Sequence, residues 1–140
     1  MNIAGIKLNG KELSSYGARL LSGLYAALLT PAEVKPWVKN DPIDDNGVDY
    51  IKPEGGAKVA ERVFNLTFQI QGATENEFLQ HYSAFISELQ KDMVELYVPD
   101  LNRTLTLKYL NATPYDTYEL LSCKLAVKFE EPKPLNYAEL

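Results

Sequence analysis

From Arg62 to Gln71 the chain reads RVFNLTFQIQ, and from Phe64 onward apolar and polar residues alternate without a break. Phe64, Leu66, Phe68 and Ile70 fall on one face, and Asn65, Thr67, Gln69 and Gln71 on the other. A period of two suits a strand with one buried side and cannot give a helix a continuous apolar face. The polar side is rich in amides and carries no charge, as expected of a sheet that is wet on one face. The predicted strand covers Val59 to Gln71, and Gly72-Ala73 ends it. The period then changes. Thr74-Glu75-Asn76-Glu77 is a capping box, with Thr74 at the N-cap and Glu77 three residues on. Phe78, Leu79, Tyr82, Phe85, Ile86 and Leu89 follow as one apolar stripe, which predicts an amphipathic helix over about residues 75–91.

More strands follow the helix. Val94, Leu96 and Val98 alternate with Glu95 and Tyr97, Pro99-Asp100-Leu101-Asn102 reads as a turn, and Leu105, Leu107 and Tyr109 alternate with Thr104, Thr106 and Lys108. A second turn is expected around Asn111 to Asp116, and a last strand over Tyr118 to Glu130, with Leu121, Cys123, Leu125, Val127 and Phe129 inward. At the other end, Asn2 to Leu8 predicts a strand closed by a turn at Asn9-Gly10. Gly17 and Gly23 would each cost about 1 kcal/mol inside a helix. The stretch between Tyr16 and Leu29 is therefore read as a strand through Arg19 to Ser22 and a helical turn around Tyr25 to Leu29. The fold class is α+β: a mainly antiparallel β-sandwich or small barrel with one flanking helix, in a single domain of residues 1–140. Residues 133–140 are expected to form a loose tail.

Between these halves lies Pro31 to Gly56, which holds Pro31, Pro36, Pro42 and Pro53 and closes on Gly55-Gly56. Its centre, residues 37–58, is expected to be a long polar loop, and long loops in small domains are usually functional or disordered. The only tryptophan, Trp37, stands at its start, with Tyr50 and Ile51 near its end. Large apolar groups on a loop need a surface to cover them, so Trp37, Tyr50 and Ile51 are the candidate subunit-interface residues.

Catalytic chemistry is short of parts. Of 140 residues one is a histidine, His81, and one a cysteine, Cys123, so neither a histidine-rich metal site nor an internal disulfide can be built. His81 falls at the border of the helix's apolar stripe, and Cys123 on the inward face of a strand, where cysteine behaves as a small apolar residue. Asp41, Asp44, Asp45 and Asp49 suggest a calcium loop, but from Asp41 the third position is Ile43, the sixth Asn46 and the twelfth Lys52, which fails the EF-hand pattern. Gly55-Gly56 is followed by no GK[ST] sequence, so there is no phosphate-binding loop. No enzyme activity, cofactor or metal is expected. With 14 Lys and Arg against 19 Asp and Glu the net charge is −5, a poor balance for gripping nucleic-acid phosphates. The apolar stretch from Leu20 to Leu29 is interrupted by Ser22, Gly23 and Tyr25 and is about half a membrane span. The N-terminal MNIAGIKLNGKEL has no continuous apolar core, so a cytoplasmic product without a membrane partner is expected.

The run from Arg62 to Pro132 resembles the tail-tube and distal-tail protein superfamily of long-tailed bacteriophages. The likeness rests on the strand RVFNLTFQIQG, the capped helix TENEFLQHYSAFISELQK, the hairpin VELYVPDLNRTLTLKYL and the last strand closing on LAVKFEEPKP. Upstream, SYGARLLSG and a Leu-Leu-Thr-Pro segment agree more loosely. The resemblance implies a non-enzymatic structural protein of a phage or prophage tail. It implies hexameric rings that stack into the tube or cap its distal or connector end, with neighbouring sheets lining the lumen and a long loop reaching the adjacent subunit. Its partners would be further copies of itself, other tail proteins and, without specificity, passing DNA; its final place would be the virion tail. A stand-alone β-rich module holding a small ligand or peptide is the alternative, and it requires a concave aromatic pocket within one subunit.

Overall fold

The computed structural model describes residues 5–21, 23–41, 43–44 and 46–134. The expected strand residues Asn2 to Ala4, Ser22, Pro42, Asp45 and the tail from Leu135 to Leu140 lie outside the described residues.

Seven strands form one antiparallel sheet that curls into a half-barrel, in the order β2-β1-β7-β8-β9-β6-β3. In chain order these are β1 (Lys7–Leu8), β2 (Lys11–Glu12), β3 (Ala18–Leu20), β6 (Arg62–Gln71), β7 (Val94–Val98), β8 (Arg103–Tyr118) and β9 (Ser122–Glu131). A separate two-stranded ribbon pairs β4 (Val38–Asn40) with β5 (Asp49–Ile51). Two α-helices complete the fold, a short α1 (Leu24–Leu29) and the long α2 (Glu75–Lys91).

The alternation read between Val59 and Gln71 becomes β6, which pairs residue for residue with β9 from Arg62↔Glu131 to Gln71↔Ser122. Leu66, Phe68 and Ile70 are buried beside Cys123, Leu125, Val127 and Phe129. Helix α2 begins as its sequence predicts: the Glu77 amide donates to the Thr74 hydroxyl at 3.1 Å, filling one of the orphan donors of the first turn. Phe78, Phe85 and Leu89 of its stripe are buried, Tyr82 and Ile86 half-buried, and Leu79 at the stripe's edge is exposed. Phe85 meets Phe68 at 5.0 Å and Tyr16 edge-on at 6.0 Å, and Phe68 also meets Phe129 at 6.5 Å. Each fully buried phenylalanine contributes about 1.5–3 kcal/mol, so this ring cluster is the main bond between helix and sheet.

Two linked expectations are corrected: the last strand starts at Ser122 rather than Tyr118, with Leu121 half-buried in the turn before it, and the turn foreseen ahead of that strand is misplaced. Asn111 to Asp116 is not a turn but the continuation of β8, which stays paired with β9 as far as Tyr118↔Ser122. Pro114 lies within this paired stretch. It is tolerated because β7 pairs with β8 only as far as Leu107, leaving the later part of β8 an edge, where proline's missing donor is least costly. Irregularities between Tyr109 and Asn111 and between Tyr115 and Tyr118 absorb the misfit. The reversal comes later, where Glu119 takes φ 47° and the Leu121 amide donates to the Tyr118 carbonyl at 3.1 Å.

Candidate functional site

The chain from Glu33 to Ala60 leaves the half-barrel as a ribbon and returns. At its root Val34 bridges Val59, with the Lys35 amide donating to the Lys58 carbonyl at 2.8 Å and the Ala60 amide to the Glu33 carbonyl at 2.7 Å. Further out β4 and β5 pair Val38↔Ile51, Lys39↔Tyr50 and Asn40↔Asp49. The segment is thus an extended two-stranded arm rather than a featureless loop. Glycines at the bends make it feasible: Gly55 and Gly56 take φ 81° and 93°, and the Gly56 amide donates to the Pro53 carbonyl at 3.1 Å.

An isolated two-stranded ribbon is marginal in water. Trp37 and Tyr50 brace this one, their rings edge-on at 6.4 Å and 77°. Val34, Lys35, Trp37 and Tyr50 line an open, mostly apolar hollow of about 310 Å³. Much apolar surface is left over. Val38 is 64% exposed, Tyr50 61% and Ile51 58%, and Ile43 near the tip is fully exposed. The Trp37 indole nitrogen is enclosed with no hydrogen-bond partner among the described residues. Of the three candidate interface residues, the fold brings Trp37 and Tyr50 into contact, and Ile51 follows Tyr50 on the same strand, opposite Val38.

A polar hub that the sequence did not disclose sits where the arm joins the sheet. Arg62, the first residue of β6, donates from Nε to Glu131 at 2.5 Å, and from its other arm to the carbonyls of Leu28 at 2.8 Å and Thr30 at 2.6 Å. The guanidinium therefore caps the end of α1, whose last carbonyls lack partners within the helix. It also lies 4.9 Å from the Phe64 ring centre. Glu131 is the only buried charged residue among those described, and Arg103 approaches its second oxygen at 3.9 Å. The acidic-proline end of β9 thus places one carboxylate inside the protein. Tyr25 ties the other side of α1 by donating to the Asp100 carboxylate, so the helix that leads into the arm is held from two directions.

The remaining chemical candidates are spent structurally. His81 Nδ1 lies 2.9 Å from the Gln71 carbonyl; since a carbonyl only accepts, Nδ1 carries the proton and donates. Gly17 packs against this contact at φ 64°, and a Cβ there would fall 2.2 Å from Nδ1. A hollow of about 580 Å³ opens beside it, lined by polar groups such as Ser14, Gln71, Glu77 and His81, with Tyr118 its only aromatic apart from that imidazole. It is not the concave aromatic pocket a ligand-binding module requires. The Cys123 thiol is buried, and burial pushes its pKa above the ordinary value. Burial, and to a lesser degree Glu88, likewise raise the Tyr16 phenol. Among the described residues no group of three or more His, Cys, Asp or Glu could hold a metal ion, and no helix is long and apolar enough to cross a membrane.

These features define a class: an α+β half-barrel of antiparallel strands, one long helix packed against the sheet, and a ribbon arm projecting from it. No protein-family model and no curated protein matches the chain. Among solved structures the fold is similar to that of the Dit protein (gp 19.1) of SPP1, described as a paradigm of the hub adsorption apparatus in phages that infect Gram-positive bacteria. The TM-score is 0.66 at 17% identity, covering 95% of this chain and 51% of that one. The chain therefore spans about half the length of that protein, and the tail-protein resemblance read from the sequence is met at the level of fold.

Proposed function

We propose that this chain is a structural protein of a phage or prophage tail that self-assembles, through its arm, into a ring of the tail tube or of its distal or connector end. The observation that carries the reading is the arm itself: Val38, Tyr50 and Ile51, beside a half-buried Trp37, project from a half-barrel similar to a phage hub protein, with more than half of their surface uncovered in one copy. Contiguous apolar surface of this kind marks an interaction site. By the resemblance the ring is hexameric, with other tail proteins above and below it and DNA passing without specific contact. The virion tail is then its final location.

The test is absolute mass by light scattering across a concentration series, with negative-stain images of the same sample. Six-fold rings or short tubes are expected. A chain lacking Lys39 to Glu54 should remain a folded monomer. Rings that survive that deletion, or a wild-type chain that stays monomeric at the highest concentration reached, would overturn the reading.

A further inference from the structure

Resting on the assembly reading just proposed, we infer that Arg62 is the clamp that aims the arm: one guanidinium holds both of its legs to the half-barrel, so that the ribbon of a free copy already points in the direction that assembly uses. The arm has an incoming leg, which leaves α1 at Thr30, and an outgoing leg, which runs through Ala60 into β6 at Arg62. The bonds at its root, from the Lys35 amide to Lys58 and from the Ala60 amide to Glu33, join the legs to each other. They fix the register of the ribbon but not its direction. Direction is set one step below. There the Arg62 side chain, on the outgoing leg, donates to the Thr30 carbonyl at 2.6 Å and the Leu28 carbonyl at 2.8 Å on the incoming one. A residue at one foot of the arm thus grips the other foot, 32 positions away in sequence.

Both ends of this grip are stiff. Thr30 is extended at φ −63° and ψ 119°, the conformation favoured before a proline such as Pro31, and its hydroxyl donates to the Ala26 carbonyl at 2.7 Å. The joint therefore has little backbone freedom, and its carbonyl is the handle that Arg62 takes. On the helix side, Leu28 is buried and Tyr25 donates to Asp100, so α1 does not yield. The guanidinium is anchored in turn. Its Nε donates at 2.5 Å to Glu131, on the strand that pairs with β6 along its whole length, and its central carbon lies 4.9 Å from the centre of the Phe64 ring. With the Arg62 and Glu131 side chains 11% and 4% exposed, water competes poorly for these bonds. A planar fork with donors on separate nitrogens can serve a carboxylate on one side and carbonyls on the other, which a compact ammonium cannot do as well. Arg62 is thus a positioning residue for the arm, and holding the arm in one direction lowers the ordering cost of association.

The sole tryptophan, Trp37, stands in the arm just before β4 and reports its motion. In the full-length chain, below the onset of association, the time-resolved fluorescence anisotropy of Trp37 should follow the tumbling of the whole molecule. Arg62→Lys keeps the charge beside Glu131 and loses the fork. Arg62→Met with Glu131→Leu removes both buried charges together. In each variant a faster, nanosecond component should appear. The emission maximum should not change, because the ribbon and its contact between Trp37 and Tyr50 stay intact, and circular dichroism should show native folding. Association followed by light scattering should then need about tenfold more protein, since only the loosened arms that point correctly can engage a neighbour. Lost stability alone would not produce a fast component in a folded chain. A wild-type decay that already holds the fast component, or folded variants that decay like wild type, overturns the clamp and leaves the assembly reading standing. A loosened arm with unchanged association overturns its part in assembly. Association that survives deletion of Lys39 to Glu54 overturns the assembly reading itself, whatever Trp37 shows.

Discussion

Replacing Arg62 with Met tests whether the hub at the arm's root holds the fold together. The Arg62 side chain is 11% exposed and that of Glu131 4%, so this is a desolvated pair. Removing one partner of such a pair costs about 3–5 kcal/mol, because the other charge is left buried. Arg103, 3.9 Å from Glu131, compensates in part and sets the expectation at the lower end. The Leu28 and Thr30 carbonyls lose their donor as well, about 1 kcal/mol where water does not replace it. Against a total stability of about 5–15 kcal/mol for a domain, a loss near 3 is large. With a urea slope of about 1–3 kcal/mol per M, the midpoint followed by far-ultraviolet circular dichroism should fall by about 1–3 M. Glu131→Gln should cost less, since Arg62 keeps its carbonyl partners. Adding Glu131→Leu to Arg62→Met should recover part of the loss, because an apolar pair carries no desolvation penalty. A fall below about 0.5 M with unchanged slope for Arg62→Met would refute the hub as an energetic feature.

Thr74→Ala removes the hydroxyl that accepts from the Glu77 amide and should cost about 1 kcal/mol in a urea titration; an unchanged midpoint would mean that α2 is not capped there. Gly17→Ala forces a side chain into φ 64° and onto His81 and Gln71, so it should cost more than the roughly 1 kcal/mol of backbone strain alone. Combining it with His81→Ala should return some of that excess. The buried Cys123 thiol should react with a thiol reagent at mildly alkaline pH only as fast as the protein unfolds. Its raised pKa has a definite sign: the contribution to stability is complete below the unfolded thiol's pKa and is lost as pH rises from there through the folded value, because the unfolded chain releases the proton first. A midpoint that rises with pH across that window, in wild type relative to Cys123→Ala, would contradict this assignment.

What could be read in advance was whatever obeys a period. The face of β6, the α2 stripe and the inward row of β9 are each set by residues two or three to four apart, and each came out in place except at its margin, where Leu79 is exposed and Leu121 falls in the turn before β9. The errors arose where a local signal met a distant partner. Pro114 reads as a breaker on its own, and only the early end of β7 shows why β8 can run through it. Arg62 and Glu131 are 69 residues apart, and nothing near either of them announces a buried pair. The arm was legible as a segment of unusual composition holding Trp37 and Tyr50, yet their contact depends on the register of β4 on β5, which composition does not encode.

The same division explains how a fold can be similar at 17% identity while no family model matches. A half-barrel asks of each inward position only that it be apolar and of suitable volume, and cores of this kind tolerate wide exchange when pattern and volume are kept. The Phe68, Phe85 and Phe129 cluster can therefore drift in identity without disturbing the curl of the sheet. Assembly surfaces are under a different constraint, because each must complement another surface rather than fill a volume. The arm, whose Val38, Tyr50 and Ile51 are each more than half exposed, falls under this second constraint.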